Sequence, residues 1–100
     1  GNSSAVNRSS NSIKKDLVVR NKLGLHARAA AKLINTTSRF SSDIHLIKEG
    51  REVDGKSIMA VMMLAASQGT QLTIQAQGDD AEQALSAIEE LINNRFDEAE

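Results

Sequence analysis

Gln71-Leu72-Thr73-Ile74-Gln75-Ala76-Gln77 alternates polar and apolar residues without a break. Successive side chains of a strand point to opposite faces, so Leu72, Ile74 and Ala76 face a core while Gln71, Thr73, Gln75 and Gln77 face water. A sheet that is wet on one side and packed on the other is the antiparallel kind. Upstream, residues 43–48 repeat the pattern, with Ile44 and Leu46 inward and His45 and Ile47 outward. Gly50 suits a turn, and residues 51–54 read as a short partner strand. Residues 16–21, with Leu17-Val18-Val19, read as the first strand.

The other segments follow helical spacing. Residues 27–38 place Ala30, Leu33, Ile34 and Thr37 on one face, and the last segment repeats Ala81, Ala84, Leu85, Ile88, Leu91 and Ile92. Asp80 followed by Gln83 has the pattern of a capping box. Ser57 is a natural N-cap for a helix over residues 58–67, because its hydroxyl can accept from the amide of Met59 or Ala60, and Gly69 fits the stop. The element order is β-α-β-β-α-β-α. The expected fold is therefore α+β, an open-faced two-layer sandwich: a four-stranded antiparallel sheet covered on one face by three helices.

Composition excludes several functions. The 100 residues are 40% hydrophobic, enough for one compact domain. Twelve basic and thirteen acidic residues leave a formal charge of −1, without the basic excess of a nucleic-acid binder. There is no Trp or Tyr, and only Phe40 and Phe96 could stack on a base. With no cysteine, disulfides and thiol chemistry drop out, and a cytoplasmic address fits. No apolar run approaches the roughly 20 residues of a membrane span. Residues 1–15, rich in Ser and Asn, read as a disordered tail or an expression remnant, with the domain over residues 16–100.

Gly24-Leu25-His26-Ala27-Arg28 joins the first strand to the alanine-rich first helix. The opening amides of a helix have no intrahelical partner and carry the positive end of its dipole, so an anion is stabilised there. The amides of Ala27 and Arg28 would cradle a phosphoryl group placed on His26, and the Arg28 guanidinium could reach its oxygens. The dipole favours the neutral imidazole over its cation, and the neutral ring is the nucleophile. His45 sits on a strand, and the spacing of the two histidines holds no metal.

Two motifs now carry a resemblance. Gly24-Leu25-His26-Ala27-Arg28-Ala29-Ala30 resembles the active-site motif of the HPr family, the phosphocarriers of the bacterial sugar phosphotransferase system. Gly55-Lys56-Ser57-Ile58-Met59-Ala60-Val61-Met62 resembles the regulatory-serine helix of that family, and Gln68-Gly69-Thr70 also fits. The resemblance implies a relay protein, not an enzyme. His26 would accept a phosphoryl group on Nδ1 from enzyme I and pass it to a histidine of an enzyme IIA domain, and Arg28 would be the active-site arginine. Ser57 would match the serine modified by HPr kinase/phosphorylase, with a transcriptional regulator as a further partner. Ala31, Ile34 and Asn35 of the first helix and Ile58, Met59 and Met62 of the second would form the docking face around His26. No metal or cofactor is implied, and a monomer is expected. The family usually has proline where this chain has Ala29, which restores an amide donor to the first turn.

Two other readings compete. One is a regulatory binding module, either of the nitrogen-related branch of the same system or acting through phosphorylated Ser57. The other reads Ser57 as an N-cap alone, worth about 1 kcal/mol.

Overall fold

The computed structural model describes residues 12–98. The alternating stretch forms the interior strand β4 (Gln71–Gln77), flanked by β1 (Ser12–Val18) and β2 (Asp43–Lys48), with β3 (Arg51–Asp54) outside β2. The sheet order is β1-β4-β2-β3 and every pairing is antiparallel. Leu72 lies opposite Leu17 of β1, Ile74 lies opposite Leu46 of β2, and Ala76 sits between Ile13 and Ile44. Helices α1 (Ala27–Thr37), α2 (Ile58–Met63) and α3 (Ala81–Asn93) supply the second layer. The expected α+β open-faced sandwich, in the order β-α-β-β-α-β-α, is the observed fold.

The core lies between the layers. Leu17, Ile44, Leu46, Leu72, Ile74 and Ala76 meet Ala29, Ala30 and Leu33 of α1, Val61 of α2, and Ala84, Leu85, Ile88 and Ile92 of α3, all buried. Each fully buried Leu, Ile or Phe side chain contributes about 1.5–3 kcal/mol of transfer free energy. Phe96, beyond α3 in a 3₁₀ turn (Arg95–Asp97), is the largest of the fully buried side chains and closes this end of the core.

Two elements and one cap differ from the sequence reading. β1 starts at Ser12, four residues before the expected Asp16, and ends at Val18. Its length is set by pairing along the whole of β4, from Ser12 opposite Gln77 to Val18 opposite Gln71. The outer face of the sheet is wet, so Lys14 and Asp16 are tolerated there. Ser12 to Lys15 therefore belong to the folded domain, and the rest of the expected tail lies outside the described residues. Next, α2 ends at Met63 with Leu64 as its C-cap, short of the expected residue 67. Ala65 turns left-handed (φ 54°), and Leu64 and Ala66 dive into the core. Gly69 (φ 90°) instead serves the turn into β4, where the Thr70 amide donates to the Ser67 carbonyl at 3.0 Å.

Finally, Asp80 stands at the N-cap of α3 but makes no capping bond there. Its carboxylate accepts from the amides of Ser41 (2.9 Å) and Ser42 (3.0 Å) and from both serine hydroxyls. A carboxylate satisfied by amides from the β2 approach has no oxygen left over for its own helix.

Candidate functional site

The loop that carries His26 is built by close approach of two backbones. Gly24 is left-handed (φ 72°), and a Cβ there would stand 2.4 Å from the Ala66 carbonyl oxygen. Only glycine permits both the conformation and the contact. The Leu25 amide then donates to that same oxygen at 2.8 Å while the Leu25 side chain is buried. Asn21, fully buried, closes the loop from the other side, its Nδ2 donating to the Gly24 carbonyl at 2.7 Å.

His26 emerges from this loop as the N-cap residue of α1, in extended backbone (φ −78°, ψ −178°). Its carbonyl accepts the first helical bond, from Ala30 at 2.8 Å. No side chain caps the helix, and its first turn holds no acidic residue. The cradle expected at the amides of Ala27 and Arg28 therefore has no side-chain anion of α1 in it, and the helix dipole points its positive end there. Arg28 is exposed at the second helical position. Ala29, where proline was expected from the resemblance, is completely buried.

The imidazole turns to a residue that the sequence reading did not single out. Nε2 of His26 lies 2.6 Å from Oε2 of Glu98, with the two side chains 28% and 13% exposed. The other Glu98 oxygen accepts from Asn21 Nδ2 at 3.1 Å. Burial pushes the Glu98 carboxyl up, but the hydrogen bonds from Asn21 and His26, with the charges of His26 and Lys32, outweigh it. The net effect holds Glu98 below the usual carboxylate range. The sequence reading left His26 beside the positive helix end alone, whereas the folded chain adds an ionised partner. No sequence signal marks Glu98, which is 72 residues away.

Ser57 is the N-cap of α2, half-buried, and its hydroxyl accepts from the Ala60 amide at 3.2 Å. Only Val61 of this helix is buried. Ile58, Met59, Met62 and Met63 are exposed, at 39%, 68%, 39% and 60%. Met63 and the exposed Leu23 belong to the same apolar inventory and were not singled out from the sequence. Of the α1 docking candidates, Ala31 and Asn35 are exposed and Ile34 is half-buried against the core. The α2–β4 connection touches the histidine loop through Ala66, and that contact ties the α2 region to His26. His45 approaches Glu52 at 3.7 Å on the sheet, and no group of three metal-ligating side chains occurs among the described residues.

An open-faced sandwich presenting an uncapped first helix, with a histidine at its threshold, combines an imidazole with an anion-stabilising helix start, as a phosphoryl-carrying domain requires. The comparisons make this particular. The family model described as "PTS HPr component phosphorylation site" matches residues 13–94. The phosphocarrier protein HPr of Xylella fastidiosa (strain 9a5c) is 54% identical over 86 residues, covering 86% of this chain and 97% of that protein. That of Pseudomonas aeruginosa is 51% identical over 86 residues, covering 85% and 96%. The crystal structure of HPr from Thermoanaerobacter tengcongensis superposes with a TM-score of 0.85 at 42% identity, covering 88% of this chain and 99% of that one. The chain belongs to the HPr family, the phosphocarriers of the phosphotransferase system.

Proposed function

We propose that His26 is the phosphoryl acceptor of this carrier, through Nδ1, and that the group arrives from phosphorylated enzyme I and leaves to a histidine of an enzyme IIA domain. The observation that carries the reading is the occupation of Nε2 by Glu98 at the mouth of an uncapped helix. With Nε2 engaged, Nδ1 is the ring nitrogen that keeps its lone pair for attack. The product phosphate meets the amides of Ala27 and Arg28 and the positive end of α1, and the Arg28 guanidinium pairs with its oxygens. The chain is thus a relay: it is modified and unmodified, and it turns over no substrate of its own.

Docking runs over the exposed apolar side chains Ile58, Met59 and Met62 of α2 together with Ala31, Ile34 and Asn35 of α1. Methionine adapts its shape, which suits a surface that meets more than one partner. Ser57, beside this patch, is the site of regulation by HPr kinase/phosphorylase, and its modified form is read by a transcriptional regulator. The working form is a cytoplasmic monomer. Among the described residues no helix is long and apolar enough to cross a membrane.

The test is incubation with enzyme I and phosphoenolpyruvate, followed by mass mapping. An acid-labile phosphoryl group on His26, absent from His26→Ala with the fold retained, is the expected result. Undiminished labelling of His26→Ala would refute the assignment.

A further inference from the structure

Three consecutive residues after α3 are left-handed: Arg95 (φ 58°), Phe96 (φ 53°) and Asp97 (φ 63°). None is glycine, and such a run is sparsely populated unless its surroundings enforce it. The surroundings here are explicit. The Phe96 ring is fully buried, and its carbonyl accepts from Lys32 Nζ of α1 at 2.7 Å. The Asp97 amide donates to Asn94 at 3.0 Å and the Glu98 amide to Arg95 at 2.9 Å. The turn reverses the chain and delivers the Glu98 carboxylate to His26, where Asn21 holds its second oxygen. Asn21 also holds the Gly24 carbonyl, so one buried amide ties the histidine loop to the C-terminal turn.

Resting on the carrier reading above, we propose that Glu98 is a positioning residue for phosphoryl transfer: it holds the His26 ring in the Nε2–H tautomer and compensates the charge that the ring acquires when Nδ1 is phosphorylated.

An ionised carboxylate offers only acceptor sites, so its partner nitrogen must carry the proton. Nε2–H then donates to Glu98, and Nδ1 holds the lone pair. In the forward step that pair forms the new N–P bond, while the N–P bond of the donor breaks and its electron pair returns to the donor nitrogen. The His26 ring is left as a cation with its Nε2 proton against Glu98. In the onward step the Nδ1–P bond breaks, its electron pair returns to Nδ1, and the neutral Nε2–H ring is regenerated. Neither step requires a proton to leave the His26 ring, so in the onward step the leaving group is a neutral imidazole. The same logic explains the strained turn: it spends local backbone free energy to fix a carboxylate at one atom of the reacting group.

The test compares the full-length protein with Glu98→Ala and Glu98→Gln. Long-range ¹H–¹⁵N NMR of the unphosphorylated protein, at a pH where the His26 ring is neutral, reads the tautomer without any phosphoryl donor. Wild type is expected to hold Nε2–H, and both variants to show a mixture. Single-turnover transfer from phosphorylated enzyme I should slow about 10- to 100-fold in Glu98→Ala, the range that hydrogen bonds to charged groups carry. Glu98→Gln guards against loss of fold, because it keeps the shape and the Asn21 side of the contact. Labelling of wild type on His26, with an unchanged tautomer and unchanged rates in both variants, would overturn the inference and leave the carrier reading standing. A tautomer shift in the variants, with wild type unlabelled, would uphold the pairing of Glu98 with His26 and overturn the carrier reading.

Discussion

Gly24 lies against the carbonyl of Ala66 so closely that a methyl group on Gly24 would stand 2.4 Å from that oxygen. This contact fastens the histidine loop to the segment that follows the apolar helix α2. Gly24→Ala is therefore expected to cost about 2 kcal/mol or more in urea denaturation, from a left-handed alanine together with displacement of the Ala66 backbone. It should also slow labelling of His26, since the loop that presents the ring must shift. A stability within about 0.5 kcal/mol of wild type would show that the loop rearranges freely.

Arg28→Ala is expected to slow transfer to and from His26 and to leave the midpoint of unfolding in place. The side chain is exposed, so the fold gains little from it. Its charge is two residues from His26, the proposed acceptor, and charge-assisted bonds to phosphoryl oxygens are about twice as strong as neutral ones. Single-turnover rates with enzyme I decide the matter: wild-type rates would reduce Arg28 to a solvated helix residue.

Ser57 separates two effects. Ser57→Ala removes the cap accepted from Ala60 and should cost about 1 kcal/mol. Ser57→Asp keeps a capping oxygen and adds a charge that a helix start tolerates, so its melting temperature should stay near wild type. The same charge next to Ile58, Met59 and Met62 is costly in an apolar contact. Titration against enzyme I should show weakened binding for Ser57→Asp. Equal affinity for the two proteins would leave Ser57 as a cap only.

Acid should loosen the clasp between Asp80 and the start of β2. The Ser42 hydroxyl first, then the Ser41 amide, hold the Asp80 carboxyl below its ordinary range. Burial pushes the other way, and the amides of Ser42 and of Asp80 itself add to the lowering. A carboxyl whose folded value is depressed contributes stability above its unfolded value of about 3.9, and that contribution is lost as pH falls through the folded value. Stability measured from neutral pH downward should fall less steeply below about pH 4 for Asp80→Asn than for wild type. Parallel curves for the two proteins would show that the clasp does not couple to protonation.

Much of this architecture was legible from neighbouring residues. The alternation of Gln71–Gln77 declared a one-sided sheet, and β4 has the burial it implied. Ser57 was readable as a cap because a hydroxyl three residues before an amide needs no distant partner. Asp80 shows where such reasoning stops. Its capping-box pattern is local, but Ser41 and Ser42, 39 and 38 residues away, took the carboxylate. Likewise, Met63 looked like the middle of a helix until Ala66 was required at the histidine loop.

By itself the sequence determined the periodicities, the caps that act within one turn, and the segment Gly24-Leu25-His26-Ala27-Arg28 that puts a histidine at a helix start. These are short-range facts, written in residues that share one element. Only the tertiary structure decided that β1 begins at Ser12, because a strand is as long as its partner allows. It alone placed Glu98 on Nε2 of His26 through a left-handed turn anchored by Phe96. A carboxylate is satisfied by whichever donors the fold brings to it, and donors far apart in the chain leave no mark on its local pattern.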